Sequence, residues 1–343
     1  MMLMSKPKVF LTQLIQDTGM SLLEGKVDHK LWSIDGKPDP ETVLRDIPLA
    51  DGLIMTMGIH MDRDFFEKAV KLKIASLYSV GYDNVDIKAA TEFGIMVTNT
   101  PGVLTDATAD TAMMLMLMSA RKAMENERIM REGGWTHWSP NQFVGKDLSC
   151  SVLGIVGFGE IGRAVAKRAL AFGMKIIYTC RTRKTEYEEK LCAEYVTLED
   201  LLKRSDFVSL NCALTNETAG LIGERELRMM KKDAVLINTA RGAVVNQKAL
   251  FRACSEGWIC GAGLDVYEKE PVPMDEPLLK LENVVMMPHI GSATQRSREG
   301  MARLAATNLI EALEGRVPPN LVNPEVLKRI RTKDISQVQE NHR

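Results

Sequence analysis

At 343 residues the chain is longer than one ordinary small domain and suits two, with 45% hydrophobic residues to fill two cores. Its formal net charge of -1 offers no basic face to a polyanion, which argues against a general nucleic-acid or membrane-surface binder. The six cysteines, Cys150, Cys180, Cys192, Cys212, Cys254 and Cys260, make no C-x-x-C pair and have no histidine nearby, so scattered reduced thiols are expected and a metal site is not.

The opening Met1-Met2-Leu3-Met4-Ser5-Lys6-Pro7 lacks the charged, apolar and cleavage regions of a signal peptide, and the cytoplasm is the expected compartment. Short β-rich runs at 9–11, 31–33, 52–55, 74–78 and 95–98 then alternate with helical stretches such as 40–46, 62–70 and 86–93. This alternation predicts a parallel sheet covered by helices. A long helix follows, capped by Thr105 or Asp106 and ended by Gly133-Gly134. Its run Met113-Met114-Leu115-Met116-Leu117-Met118 is apolar around more than one face, which suits burial between domains or subunits. The dense apolar stretch at 112–118 is far too short to span a membrane.

A second series of strands is expected at 152–156, 175–178, 207–210, 234–237, 262–264 and 284–287. Six strands with helices between them describe a second doubly wound sheet. One more helix, at about 295–313, ends at Glu314-Gly315, and Pro318-Pro319 stops any continuation. The expected fold class is therefore α/β, with two doubly wound parallel-sheet domains. The first, 1–100 with 291–327, is discontinuous and flavodoxin-like; the second, 101–290, is Rossmann-like and carries the long helix. The polar, unpatterned stretch 328–343 reads as a frayed tail.

The turn Gly157-Phe158-Gly159-Glu160-Ile161-Gly162 follows an apolar strand and opens a helix. That context turns a weak G-x-G-x-x-G match into a dinucleotide site. Gly157 permits the tight turn, Gly159 lets the backbone approach a pyrophosphate, and Gly162 lets helix and strand pack closely. The phosphates would sit on the helix N-terminus, where unpaired N–H groups and the dipole favour anions. An NAD-specific site carries an acidic residue at the end of the second strand, to bind the ribose 2′-hydroxyl. Here that position reads Tyr178-Thr179-Cys180-Arg181-Thr182-Arg183-Lys184. Guanidinium groups at Arg181 and Arg183 would pair with a 2′-phosphate, and the Thr182 hydroxyl can add a hydrogen bond. NADP(H) is the expected preference, with NAD(H) as the lesser cofactor.

Ligands of open α/β sheets sit beyond the carboxyl ends of the strands. There the chain carries Asn238-Thr239-Ala240-Arg241-Gly242, then Asp265 with Glu270-Pro271, then Pro288-His289-Ile290-Gly291-Ser292-Ala293. A cation, a carboxylate and a histidine thus reach one rim. His29, His60, His137 and His342 lie in segments read as surface or helix-end positions, with a place in the cleft left open for His137.

With these motifs the sequence resembles the D-isomer-specific 2-hydroxyacid dehydrogenase family over nearly its whole length. Within that family it is most similar to the glyoxylate/hydroxypyruvate reductases, through Ser79-Val80-Gly81, Gly133-Gly134-Trp135-Thr136-His137-Trp138, Arg181-Thr182-Arg183-Lys184 and Arg296. The resemblance implies that Arg241 clamps the carboxylate of a 2-oxoacid and polarises its carbonyl. His289 would then donate the proton to that oxygen, and Glu270 would hold the imidazole and favour its protonated form. It also implies a substrate-binding first domain, a dinucleotide-binding second domain with a dimerisation helix, and a homodimer.

Cofactor contacts implied in the same way are Thr105, Ala213, Thr218, Thr239, Ala240, Asp265 and Gly291, and substrate contacts are the Val80 and Gly81 backbone, Arg296 and Trp138. Asp265 has a strand-end turn as its competing role, Arg296 a solvated helix end, Thr105 a helix cap, and Trp138 a plain dimer-core aromatic. The alternatives left open are a D-lactate or 3-phosphoglycerate dehydrogenase and a dinucleotide-sensing corepressor. Met57 and Trp138 are expected to set the size of the substrate pocket.

Overall fold

The computed structural model describes residues 5–33, 36–56 and 58–330. Met57, His342 and the part of the expected tail beyond residue 330 lie outside the described residues. The chain divides into two compact units, one of residues up to Leu104 together with those from Thr294 on, the other Thr105–Ala293.

The first unit is built on β1 (Lys8–Leu11), β2 (Asp28–Leu31), β3 (Gly52–Met55), β4 (Ile74–Leu77) and β5 (Met96–Thr98). All pair in parallel, in the order β2-β1-β3-β4-β5. This is the flavodoxin-like order. Every residue of β3 and β4 is buried, as expected for parallel strands covered on both faces. The helices that cover them start where an aspartate can cap them. Asp39, Asp62 and Asp86 each accept a backbone N–H three residues on, from Thr42, Phe65 and Ala89, at 2.9 Å. The helix Gln295–Leu313, capped by Thr294, returns to this unit, and its Ala305 carbonyl accepts the Ser76 hydroxyl of β4 at 2.9 Å.

Two elements of this unit differ from the sequence expectation. The second strand runs over Asp28–Leu31 rather than 31–33, because it is a sheet edge whose largely exposed residues carry no apolar signature. A helix Asp17–Leu23 stands where none was expected. Its Gly19, a poor helix former, is there for packing: a Cβ would lie 2.6 Å from the Ala302 carbonyl oxygen of the returning helix.

The second unit contains β6 (Val152–Val156), β7 (Lys175–Thr179), β8 (Ala193–Tyr195), β9 (Phe207–Leu210), β10 (Val235–Asn238), β11 (Gly261–Leu264) and β12 (Val284–Met286). Their order is β12-β11-β10-β9-β6-β7-β8, again wholly parallel. Counted from β6, this is the Rossmann order with one strand added beyond the last. The expectation of six strands missed β8, a three-residue edge strand with two exposed residues.

The long helix is also two helices, Thr105–Ala120 and Ala123–Arg131, broken at Lys122 in the left-handed region (φ 51°). The cause lies in the loop before β6. Lys146 donates its backbone N–H to the Ala120 carbonyl at 2.7 Å, and a Cβ on Gly145 would lie 2.5 Å from that oxygen, so this loop takes the place of a continuing turn. The first of the two helices packs tightly on the sheet. A Cβ on Gly263 of β11 would sit 2.9 Å from the Leu115 Cβ. Among the described residues, no helix is long and apolar enough to cross a membrane.

Candidate functional site

The glycine turn leaves β6 beside β9, where the strand order reverses and α/β sheets hold their ligands. Its three glycines have separate causes. Gly157 adopts φ +94°, and a Cβ on it would meet the Cys212 backbone nitrogen at 2.6 Å. A Cβ on Gly162 would fall 2.1 Å from the Gly157 carbonyl oxygen. Gly159, by contrast, has nothing within 4 Å of its would-be Cβ. Gly162 therefore closes the turn on itself, Gly157 packs it against the backbone that follows β9, and the middle one opens a cradle at the start of the helix Glu160–Ala171. No side chain caps that helix, so its first N–H groups are available to an anion. The buried Thr239 hydroxyl, after β10, has no hydrogen-bond partner. A cradle with open space, an uncapped helix start and an orphaned hydroxyl on the same rim together fit a pyrophosphate-bearing dinucleotide.

Past β7, Arg181, Thr182 and Arg183 are exposed. Arg183 forks onto Glu188 through Nε and Nη2, at 2.7 Å each. Phe158 of the glycine turn is buried and stacks on Tyr178 of β7, with ring centroids 4.0 Å apart. Glu160 accepts the Thr105 hydroxyl at 3.3 Å, and Ile161 packs on the core beneath the turn. Thr218 holds its own loop closed, donating to the Ala213 carbonyl at 2.6 Å and accepting the Thr215 N–H at 2.8 Å.

On the same rim, three strand ends bring the expected cation, carboxylate and histidine together. After β10, the Asn238 side chain folds the loop. It accepts the Ala240 N–H at 3.0 Å and donates to the Arg241 carbonyl at 2.9 Å. Gly242 lets this loop lie against the next, since a Cβ there would fall 1.8 Å from the Tyr267 carbonyl carbon. After β11, Glu270 accepts the Tyr267 N–H through Oε1 at 2.9 Å and faces His289 Nδ1 through Oε2 at 2.7 Å. After β12, His289 sits at φ +55°, a left-handed conformation seldom held by a residue other than glycine.

Asp265 anchors that strained turn. Its two oxygens accept the Ile290 and Gly291 N–H groups at 2.7 and 2.8 Å. The Gly291 carbonyl in turn accepts the Thr108 hydroxyl at 3.2 Å.

The electrostatics follow from this geometry. Burial alone would push the Glu270 carboxyl up. The hydrogen bond from His289, the charge on that ring, the Tyr267 N–H and the nearby Arg241 charge together hold it below the usual carboxylate range. Burial pushes the Asp265 carboxyl up, against its two backbone donors. Glu270 is therefore kept as an anion against Nδ1 of the imidazole. The set can bind a carboxylate, polarise a carbonyl and deliver a proton.

Other expected residues lie elsewhere. Val80 and Gly81 follow β4 in the first unit, in a turn where the Ser79 hydroxyl donates to the Gly81 carbonyl at 2.7 Å and Asn99 donates to the Val80 carbonyl at 2.9 Å. Arg296 is exposed in the first turn of the helix Gln295–Leu313. Trp138, 74% exposed, stands in the loop after Arg131. His137 is exposed beside it and contacts Thr136 and Gln142. Sequence reasoning missed the loop-folding role of Asn238, whose position two residues before Ala240 is the usual signature of an Asx turn. It also missed Glu188, whose spacing of five residues from Arg183 is no recognised motif.

Residues 113–291 match the family "D-isomer specific 2-hydroxyacid dehydrogenase, NAD binding domain". A glyoxylate reductase of Thermococcus litoralis is 53% identical over 326 residues, covering 94% of this chain and 98% of that protein. Among solved structures, a protein from Thermus thermophilus aligns with a TM-score of 0.85 at 44% identity, over 92% of this chain and 99% of that one. An NADPH-dependent glyoxylate/hydroxypyruvate reductase from Sinorhizobium meliloti, in complex with NADP and malonate, aligns with a TM-score of 0.82 at 32% identity, over 94% and 98%. Matches of this identity over nearly full length, on a chain with this fold and rim, leave one assignment: the chain belongs to the D-isomer specific 2-hydroxyacid dehydrogenase family.

Proposed function

We propose that this protein reduces small 2-oxoacids, glyoxylate and hydroxypyruvate, to their 2-hydroxyacids, with NADPH preferred over NADH. The observation that carries this reading is the 2.7 Å pairing of His289 with Glu270, on the rim that also bears Arg241 and the glycine turn. When bound, the dihydronicotinamide supplies the hydride. Arg241 takes the substrate carboxylate and draws electron density onto the carbonyl oxygen. His289 gives its proton from Nε2 to that oxygen as negative charge develops there. Glu270, ionised, fixes the ring so that Nδ1–H points at the carboxylate and Nε2 at the substrate. The neutral imidazole then takes a proton from solvent for the next turnover.

Dinucleotide contacts are assigned to residues 157–162, to Arg181, Thr182 and Arg183 at the ribose end, and to Thr105, Ala213, Thr218, Thr239, Ala240, Asp265 and Gly291. Further substrate contacts are assigned to Val80, Gly81 and Arg296. Trp138 is assigned to the substrate pocket of the partner in a cytoplasmic homodimer.

The relatives named glyoxylate reductase support the substrate, and the basic loop 181–184 supports NADPH. A panel of 2-oxoacids assayed with NADPH and with NADH tests both parts. Oxidation of NADPH with glyoxylate and hydroxypyruvate is expected. No turnover on either acid defeats the substrate reading, and catalytic efficiency about tenfold higher with NADH, a difference of about 1.4 kcal/mol, defeats the cofactor reading.

A further inference from the structure

The basic loop 181–184 is backed by an acid. Glu188 receives the side-on fork of Arg183, at 2.7 Å through Nε and Nη2, and its Oε1 also accepts the Tyr178 hydroxyl at 2.7 Å. Tyr178 is fully buried against Phe158 of the glycine turn, and its hydroxyl oxygen accepts the Lys184 N–H at 2.9 Å. Tyr195 closes the cluster, its ring 5.4 Å from that of Tyr178 and 5.5 Å from the Arg183 guanidinium. The Glu188 side chain is 19% exposed, whereas that of Arg183 is 56% exposed, so the anion lies behind the cation. The hydrogen bonds from Arg183 and then from Tyr178 hold the Glu188 carboxyl at about 2, and it stays charged throughout the neutral range.

A guanidinium bound side-on keeps its end-on edge for a second acceptor, so Arg183 still presents donors outward. The pair behind them, however, is close to neutral. A carboxylate at the ribose end is the device by which dinucleotide sites favour a 2′-hydroxyl over a 2′-phosphate. Here that carboxylate comes from the short helix Thr185–Glu188 rather than from the strand end.

On the reading that loop 181–184 receives the 2′-phosphate, we infer that Glu188 sets the cofactor preference of this enzyme, cancelling the charge of Arg183 and so restraining its selectivity for NADPH. The test is titration of the protein with NADPH and with NADH, followed by fluorescence, for wild type, Glu188→Gln and Arg183→Ala. Glutamine removes the charge and keeps an oxygen for Arg183 Nε and Tyr178, while its NH2 group replaces the oxygen that faces Arg183 Nη2. The NADPH-to-NADH affinity ratio should rise about tenfold in Glu188→Gln at low salt, the scale of one charge acting on a phosphate across several ångströms of partly solvated loop. The rise should shrink in 1 M salt, where the screening length falls to about 3 Å.

General damage weakens both cofactors together and leaves the ratio unmoved, so an unmoved ratio overturns the inference. A fall overturns it too, because Glu188 would then serve only to hold Arg183 in place. If Glu188→Gln does not fold, Glu188→Ser is read by the same ratio with the same outcomes. Arg183→Ala tests the underlying reading separately. Its ratio should fall, and indifference there removes loop 181–184 from the 2′-phosphate whatever Glu188 does.

Discussion

His289 occupies a backbone conformation that a non-glycine residue adopts only when its surroundings impose it, and the imposing group is Asp265. One buried carboxylate holds the two N–H groups that follow the histidine, and so fixes the direction of the imidazole. Asp265→Asn replaces an acceptor oxygen with an N–H donor facing a backbone N–H. The loss of one buried hydrogen bond should cost about 1–3 kcal/mol, seen as a lower melting temperature, and turnover should fall more than dinucleotide affinity does. Unchanged stability and turnover would mean the turn is held by something else.

Glu270 gives a pH prediction of definite sign. Its folded value is lowered, so the stability it contributes is complete above its unfolded value, about 4.3, and is lost as pH falls through the lower folded value. The melting-temperature gap between wild type and Glu270→Gln should therefore close as pH falls below about 4.3. A gap that is constant to pH 3 contradicts the ionised pair.

Among elements, the glycine turn separates folding from binding within six residues. Gly157→Ala puts a Cβ 2.6 Å from the Cys212 nitrogen and Gly162→Ala puts one 2.1 Å from a carbonyl oxygen, so both should yield little folded protein. Gly159 has φ -74° and open space around it. Gly159→Ala should melt close to wild type yet bind dinucleotide about tenfold more weakly, a loss of about 1.4 kcal/mol, through the methyl entering the pyrophosphate cradle. Calorimetry and a dinucleotide titration read the two effects separately.

The parallel central strands were legible because strands buried on both faces are unbroken apolar runs, and the residues after them could be placed on one rim with no knowledge of the side chains. The edge strands Asp28–Leu31 and Ala193–Tyr195 carry no such run. The break at Lys122 was illegible for another reason: its cause, Gly145 and Lys146, lies more than twenty residues downstream. The partner of Arg183 was hidden likewise, since several acids lie within reach along 186–189 and only the fold selects Glu188.

At the scale of the molecule, each unit has its own sheet and its own core, and Arg241, Glu270 and His289 all belong to the second. Around residues 124–144 that unit exposes Met124, Met130, Trp135, Trp138, Phe143 and Val144. Such an apolar surface is expected to be covered by a second copy of the chain. Light scattering should give a mass twice that of the chain, and Trp135→Ser with Trp138→Ser should shift it toward one; a monomeric wild type would refute the homodimer. The role of His289 as proton donor in the reduction of a 2-oxoacid is tested most directly by glyoxylate reduction with NADPH, wild type beside His289→Gln. Turnover should be lower by about 10²–10⁴ with the NADPH dissociation constant preserved, and a variant that turns over at the wild-type rate would contradict that role.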